Sequence, residues 1–347
     1  MTRYLCLLLV LFLTGCATTG SLRDGVTIMT FNVENLFDTR DDPGKNDSTY
    51  LPLTQKQSAG HRAQCELIEV QRWREQCLYW DWNDEIVATK MARIAATILQ
   101  VNNGRGPDIV ALQEVENLAV LDQLRTQYLG AAEYQPAVLL EGKDLRGIDV
   151  AFLSRLPLVG EPVLHDIEFT GIAQERVDDT RGILEATFRL PDDSLLTAYA
   201  VHFPAPYHPR EMREQAYDRL NELRSALPPD RYVFAAGDFN TTALEMRDHD
   251  MLPRYVHPQW IAVHELGCGS DCRGTHYYAP NDSWSFLDMI IWSAPEKAGW
   301  RVDPDSVRLV NEYPSQRTAE GTPNRFQMPA ATGVSDHWPL AMTIRRQ

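Results

Sequence analysis

Positive charge is what this sequence has too little of for one large class of functions. Its 347 residues hold 33 Lys and Arg against 48 Asp and Glu, a formal net charge of −15. A protein that grips DNA or RNA tightly carries a basic stripe. Here the arginines are scattered, which disfavours a tight nucleic-acid binder but not an enzyme that touches phosphate briefly. Internal repeats and low-complexity tracts are missing too, so nothing points to an array or a disordered chain. No apolar run spans a bilayer, which takes about 20 residues; the run over 5–13 falls short. What is present, 44% hydrophobic and 23% charged residues, is ample for a sizeable core. The length fits two domains or one layered domain with insertions.

The first residues read as an address rather than as fold. Arg3 gives a short positive start, the apolar run follows, and it ends in Leu13-Thr14-Gly15-Cys16 before small residues. That is the pattern of a cleaved export signal. The Leu-x-Gly-Cys ending resembles the lipobox of bacterial lipoproteins, which implies that Cys16 is lipidated; an ordinary signal peptide is the alternative. No aspartate follows Cys16, so the resemblance favours an outer-membrane anchor over the inner membrane. The expected organisation is a signal peptide over 1–16, a linker over 17–25 and a domain over 26–346 with an insertion at 39–84.

Cysteine is scarce, six in all, and Cys6 leaves with the signal. Cys65, Cys77, Cys268 and Cys272 remain, an even number in an oxidising compartment, which argues for disulfides. Cys65–Cys77 with Cys268–Cys272 is the economical pairing. A zinc site of all four thiolates is the alternative, and the spacings fit it poorly.

Periodicity places the elements. Strands are expected at 26–32, 108–112, 134–140, 148–154, 183–190, 194–203, 231–236, 285–293 and 339–345. Val87, Met91, Ile94, Ile98 and Val101 recur at steps of four and three, which predicts an amphipathic helix over 85–101. Further helices are expected near 66–75, 118–128 and 210–227, with 251–266 irregular or helical. Trp73, Trp80 and Trp82 in the insertion read as a satellite core rather than a pocket wall. Groups of strands separated by helices predict a layered α/β fold, two sheets face to face with helices outside.

Polar residues recur where those strands end. Asn32 and Glu34 follow the first and Glu114 the second. His202 closes the sixth, and Gly237-Asp238-Phe239-Asn240 follows the seventh, read as a strand that stops at the glycine. Asp238 and Asn240, two apart, would share a side if the chain stayed extended. Asp288 sits inside an apolar strand and needs a partner, because burying an unpaired polar group costs roughly 2–7 kcal/mol. Asp336 and His337 precede the last strand. If these ends converge, they form a pocket of carboxylates, amides and two histidines. Mostly oxygen donors suit Mg²⁺, Mn²⁺ or Ca²⁺ over zinc, and a hard cation with histidine nearby suits phosphoryl chemistry.

Taken in order, Thr30-Phe31-Asn32-Val33-Glu34-Asn35-Leu36, Gln113-Glu114-Val115, Val201-His202-Phe203, Gly237-Asp238-Phe239-Asn240, Leu287-Asp288 and Ser335-Asp336-His337-Trp338-Pro339 resemble the endonuclease/exonuclease/phosphatase superfamily. Deoxyribonuclease I, exonuclease III-like abasic endonucleases, sphingomyelinases and inositol polyphosphate 5-phosphatases typify it. The resemblance implies a four-layered α/β sandwich of the deoxyribonuclease I type and a Mg²⁺-dependent phosphoesterase. It implies Glu114 as the main metal carboxylate, with Asn32, Glu34 and Asp336 as further metal-site residues. His337 would be the general base or transition-state stabiliser, oriented by Asp288. Asp238 and Asn240 would hold the nucleophilic water and the phosphate, with His202 and Arg181 on phosphate oxygens. Asp149 would have a supporting role. The expected activity is direct attack of water on phosphorus by an exported nuclease, anchored to the membrane by lipid, with no obligate protein partner. A hydrolase of small or lipid phosphoesters and a catalytically inactive envelope-binding module are the alternatives. The long insertion and the lack of a basic gripping loop depart from the family's DNA-repair members.

Overall fold

The computed structural model describes residues 25–269 and 272–347. The signal sequence and Cys16 lie outside the described residues. In chain order the elements are β1 (Gly25–Leu36), α1 (Ala59–Glu66), α2 (Gln71–Tyr79), α3 (Asp84–Ile98), β2 (Ile109–Val115), α4 (Leu118–Gln123), β3 (Val138–Leu139), β4 (Asp149–Ser154), β5 (Val163–His165), α5 (Gln174–Val177), β6 (Ile183–Arg189), β7 (Leu195–His202), α6 (Arg210–Ala226) and β8 (Tyr232–Asp238). They continue with α7 (Ala243–Asp248), β9 (Ile261–Ala262), β10 (His276–Tyr278), β11 (Ser283–Ser285), β12 (Asp288–Ser293), β13 (Trp300–Leu309) and β14 (Leu340–Arg346).

Two six-stranded mixed sheets pack face to face, in the orders β13-β14-β1-β2-β4-β3 and β5-β6-β7-β8-β12-β9. Each has a parallel central pair, β1 with β2 and β7 with β8, and antiparallel neighbours. The period of two sorts the side chains. Val26 and Ile28 of β1, Ile109 and Ala111 of β2, Ala198 and Ala200 of β7 and Phe234 and Ala236 of β8 fill the space between the sheets. The alternate residues Met29, Phe31, Val110 and Leu112 face outward and are covered by Val87, Met91, Ile94 and Ile98 of α3. On the other sheet Tyr199, Val201, Val233 and Ala235 are covered by Ala216, Tyr217 and Leu220 of α6. Helix, sheet, sheet and helix make the four layers expected from the sequence.

Local chemistry explains the helix ends. Asn83 caps α3 by accepting from the amides of Glu85 and Ile86. The helix stops at Ile98, short of the expected 101, where the Gln100 and Val101 amides bond three residues back, to the Thr97 and Ile98 carbonyls, instead of four. The insertion holds two helices where one was expected: the single span over 66–75 straddles the break between α1 and α2. A disulfide between Cys65 and Cys77 joins this pair, and Cys268 is bonded to Cys272. The span over 118–128 is α4 followed by a π-helical turn at Leu124–Tyr128. The strand expected over 134–140 shrinks to β3, in a stretch where Pro136 offers no N–H. The one over 285–293 splits, and β11 pairs with β10 instead of continuing β12. The ten-residue edge strand β13 was not anticipated, because its pairing with β14 shifts register across Asp303-Pro304-Asp305-Ser306. Trp82 is core, with its indole N–H bonded to the Phe37 carbonyl, but Trp73 is 58% exposed, so the satellite-core reading fails for it.

Candidate active site

The site continues the space between the sheets at one end of the sandwich. Asn32, His202, Asp238 and Asp288 have the inward parity of the apolar residues that precede or follow them on β1, β7, β8 and β12. Asp238 is central. Its cross-strand neighbours are His202 on one side and Asp288 on the other. From the facing sheet, Asn32 Nδ2 donates to Asp238 Oδ2 at 3.1 Å, a bond that ties the two sheets together. β8 does not stop at Gly237 as expected but runs through it to Asp238. A Cβ at Gly237 would lie 1.9 Å from the Val201 carbonyl oxygen, so only glycine lets β7 come this close. Nor does the chain stay extended to Asn240. Asp238 Oδ1 accepts from the Asn240 amide at 2.8 Å, and Asn240 turns with φ of 50°, sending Nδ2 to the Phe203 carbonyl at 3.0 Å.

Glu114 owes its position to a bulge. Its φ is 64°, and the β2–β4 register shifts between Gln113 and Val115. The carboxylate lines the cleft, accepts from Asn32 Nδ2 at 3.4 Å and lies 3.9 Å from His202 Nε2. Glu34, also at positive φ, is used differently. Its carboxylate accepts from Arg325 Nε and the Phe326 amide, both at 2.8 Å, and from the Asp336 amide at 3.1 Å. Burial, reinforced by Asp336, pushes its pKa up to about 7. The Glu34 carbonyl accepts from buried Lys90, which also reaches the Val334 carbonyl. Glu34 therefore frames the loop that carries Asp336 and His337.

His337 is held on both sides. Its amide donates to Ser335 Oγ, which in turn donates to the Asn32 carbonyl at 2.7 Å. Its Nδ1 is 2.6 Å from Oδ2 of the fully buried Asp288. A carboxylate can only accept, so Nδ1 carries a proton and Nε2 faces the opening, 3.9 Å from both Asp238 Oδ2 and Asp336 Oδ1. Burial alone would lower the histidine's pKa, but Asp288, Asp238 and Asp336 together hold it well above its usual range. Burial, with Arg181, pushes His202 well below its usual range, so it is neutral.

Arg181 is less free than expected. It is buried, with Nη1 bonded to Asp144 Oδ2 at 2.8 Å and Nη2 3.4 Å from the same Phe203 carbonyl that Asn240 uses. Asp149 lies at the start of β4, where Oδ1 accepts from the Gly142 amide at 2.9 Å. It steadies the loop that carries Asp144 and Arg146. Three residues near the site escaped the sequence reading. Arg146 donates to Asn35 Oδ1 and is drawn to Glu114, Arg325 bridges Glu34 and Asp336, and the His276 ring lies tilted against that of His337, 5.0 Å between centroids. All three sit in loops or at a short strand's start, with no periodicity to reveal them. Around them opens a cleft of about 1910 Å³, walled partly by the insertion through Tyr50, Trp73 and Trp80.

The donor chemistry fits a hard divalent cation. Glu114 and Asp336 present oxygens to the cleft, backed by Asp238 and the Asn32 amide. Glu34 fits less well, since protein donors already occupy its oxygens.

No curated protein is similar in sequence to this chain. Solved structures are similar in fold. TDP2 of D. rerio complexed with single strand DNA product has a TM-score of 0.57 at 18% identity, over 92% of this chain and 99% of that one. An endonuclease/exonuclease/phosphatase from Beutenbergia cavernae has a TM-score of 0.55 at 16% identity, over 93% and 72%. A counterpart from Bacteroides vulgatus has a TM-score of 0.53 at 15% identity, over 93% and 99%. The sequence pattern of one family runs through residues 29–337, from inside β1 to the histidine paired with Asp288. This chain belongs to that family, the Endonuclease/Exonuclease/phosphatase family, whose members typically hydrolyse phosphoesters.

Proposed function

We propose that the protein is a divalent-metal-dependent phosphodiesterase that acts as a nuclease. The observation that carries this is the Asp288–His337 pair facing Asp238, Glu114, Asn32 and His202 across one cleft. Glu114, with Asn32 and Asp336, would hold Mg²⁺, or Mn²⁺ or Ca²⁺, with Glu34 framing the site from behind. Such an ion neutralises phosphate charge and polarises the phosphoryl oxygen. Asp238 and Asn240 position a water for direct attack on phosphorus. Neutral His202 donates to a phosphoryl oxygen, and so does Asn240. His337, its tautomer fixed by Asp288, moves a proton at Nε2 or donates a hydrogen bond there as charge builds on the phosphoryl group. Arg181 contributes through the Phe203 carbonyl rather than by direct contact.

Nucleic acid is favoured as substrate by the rim of the cleft. Trp73, Tyr79 and Tyr207 are 58%, 70% and 60% exposed there, and each offers a face for a base to stack on. The net charge of −15 favours a second reading, in which a small or lipid phosphoester is cut. Plasmid DNA, single-stranded DNA, RNA and bis-p-nitrophenyl phosphate, each with Mg²⁺ and with EDTA, separate the two. Hydrolysis of the small diester alone would reject the nuclease. Silence on every phosphoester with Mg²⁺, Mn²⁺ and Ca²⁺ would leave only a binding module.

We further propose that the protein is exported and anchored through lipid on Cys16 at the outer membrane or in the periplasm. The two disulfides support an oxidising compartment. Labelled palmitate should enter the wild type and not Cys16→Ser; equal labelling of both would sink this reading.

A further inference from the structure

A second acidic cluster lies outside the site just described. Where the insertion begins, the loop after β1 brings Asp42 and Asp47 against Glu116, just beyond the end of β2. One oxygen from each lies within 4.8 Å of the others. Asp47 is 1% exposed and Glu116 3%. Each spends one oxygen on a backbone amide: Asp47 Oδ2 accepts from the Asp42 amide at 2.8 Å and Glu116 Oε2 from the Asp38 amide at 2.6 Å. The other oxygens, Asp47 Oδ1 and Glu116 Oε1, are buried with no hydrogen-bond partner. Among the described residues, no Lys, Arg or His forms an ion pair with any of the three. The nearest lysine in sequence, Lys45, is turned away and donates to the Gly142 and Asp144 carbonyls.

Buried carboxylates with unused lone pairs and no counter-charge are costly unless something positive sits among them. Ca²⁺ accepts oxygen donors at about 2.3–2.6 Å in flexible geometry, whereas Mg²⁺ demands a near-ideal octahedron at about 2.0–2.1 Å. The donors are all oxygen and come from an irregular loop, which Ca²⁺ tolerates. We propose that Asp42, Asp47 and Glu116 form a structural Ca²⁺ site separate from the catalytic centre. The ion would pin the start of the insertion to the exit of β2. Glu116 is two residues beyond Glu114, and Asp42 and Asn46 line the cleft, so the site would set the shape of the cleft's wall.

The test is equilibrium dialysis of the full mature chain, stripped with EDTA, against radioactive Ca²⁺, with melting followed by circular dichroism. Wild type and Glu114→Ala should each hold one equivalent of Ca²⁺ that Asp47→Asn and Glu116→Gln lose. Ca²⁺ should raise the melting temperature of the wild type more than that of either variant. In EDTA the two variants should melt at or above the wild type, because each replaces a buried acid that has no counter-charge with an amide of the same shape. If either fails to fold, Asp42→Asn, at a half-buried position, replaces it. Undiminished Ca²⁺ binding in the variants, or no bound equivalent in folded Glu114→Ala, would overturn the proposal.

Discussion

Replacing Asp288 by Asn isolates the part of the site that fixes the histidine. Asp288 is fully buried, and Oδ2 accepts from His337 Nδ1 at 2.6 Å. Its amide is held by Thr275 Oγ1 at 3.0 Å, and Oδ1 has no partner, so the side chain serves the histidine alone. Asparagine has the same shape but no charge. A hydrogen bond to a charged group contributes about 1.5–3 kcal/mol. Its loss in the transition state alone slows turnover by roughly 10- to 200-fold. If the new amide presents N–H to Nδ1, the imidazole proton moves to Nε2, and the loss approaches 10⁴-fold, the upper range for a positioned acid–base group. Stability should fall as well, because the buried pair loses its charge-assisted hydrogen bond in the ground state, partly offset by relief of the carboxylate opposite Asp238. The assay is the kcat for bis-p-nitrophenyl phosphate at saturating Mg²⁺, with a parallel thermal melt. A kcat within about threefold of wild type in a folded protein would refute the coupling.

Three further perturbations probe other links. Glu114→Gln keeps the shape of the bulge but removes the carboxylate that faces the cleft; activity should fall by at least about 10²-fold and need more Mg²⁺ to saturate. A metal titration unchanged from wild type would contradict this. Gly237→Ala puts a methyl 1.9 Å from the Val201 carbonyl, so β7 and β8 must part. Urea unfolding should show a loss on the order of 3 kcal/mol or more, with activity lost too; an unshifted midpoint would count against the close approach. Asp149 has its pKa raised by burial from 3.8 to about 7. The folded state therefore binds this proton more tightly than the unfolded chain, and ionisation penalises folding progressively between those values. Asp149→Asn removes that penalty while its amide oxygen still accepts from Gly142. The variant's stability relative to wild type should rise with pH from about 4 to about 7 and then level off; a pH-independent difference would refute it.

Much of this was legible in the sequence because it rests on short-range periodicity. β1, β2, β7 and β8 announce themselves as apolar runs, α3 as an amphipathic spacing and α6 as a charged stretch that begins after Pro209. The candidate residues were legible for a related reason. Asn32, His202 and Asp238 are polar residues where apolar strands end, and Asp288 interrupts one, where burial demands a partner. What was not legible depends on backbone conformation or distant partners. Nothing in Gln113-Glu114-Val115 announces the left-handed φ that turns Glu114 toward the cleft. Glu34 reads as a ligand in sequence, yet amides some 290 positions away occupy its carboxylate. β13 is hidden by a proline and two aspartates that an edge strand tolerates but periodicity does not reveal.

The most direct measurement is hydrolysis of bis-p-nitrophenyl phosphate by the signal-free protein and by His337→Ala, each with Mg²⁺ and with EDTA. The wild type should turn over with Mg²⁺ and stop with EDTA, and His337→Ala should fall by roughly 10²–10⁴-fold while remaining folded. Wild-type activity that survives EDTA, or a His337→Ala rate near wild type, would contradict a metal-dependent phosphodiesterase built on the Asp288–His337 pair.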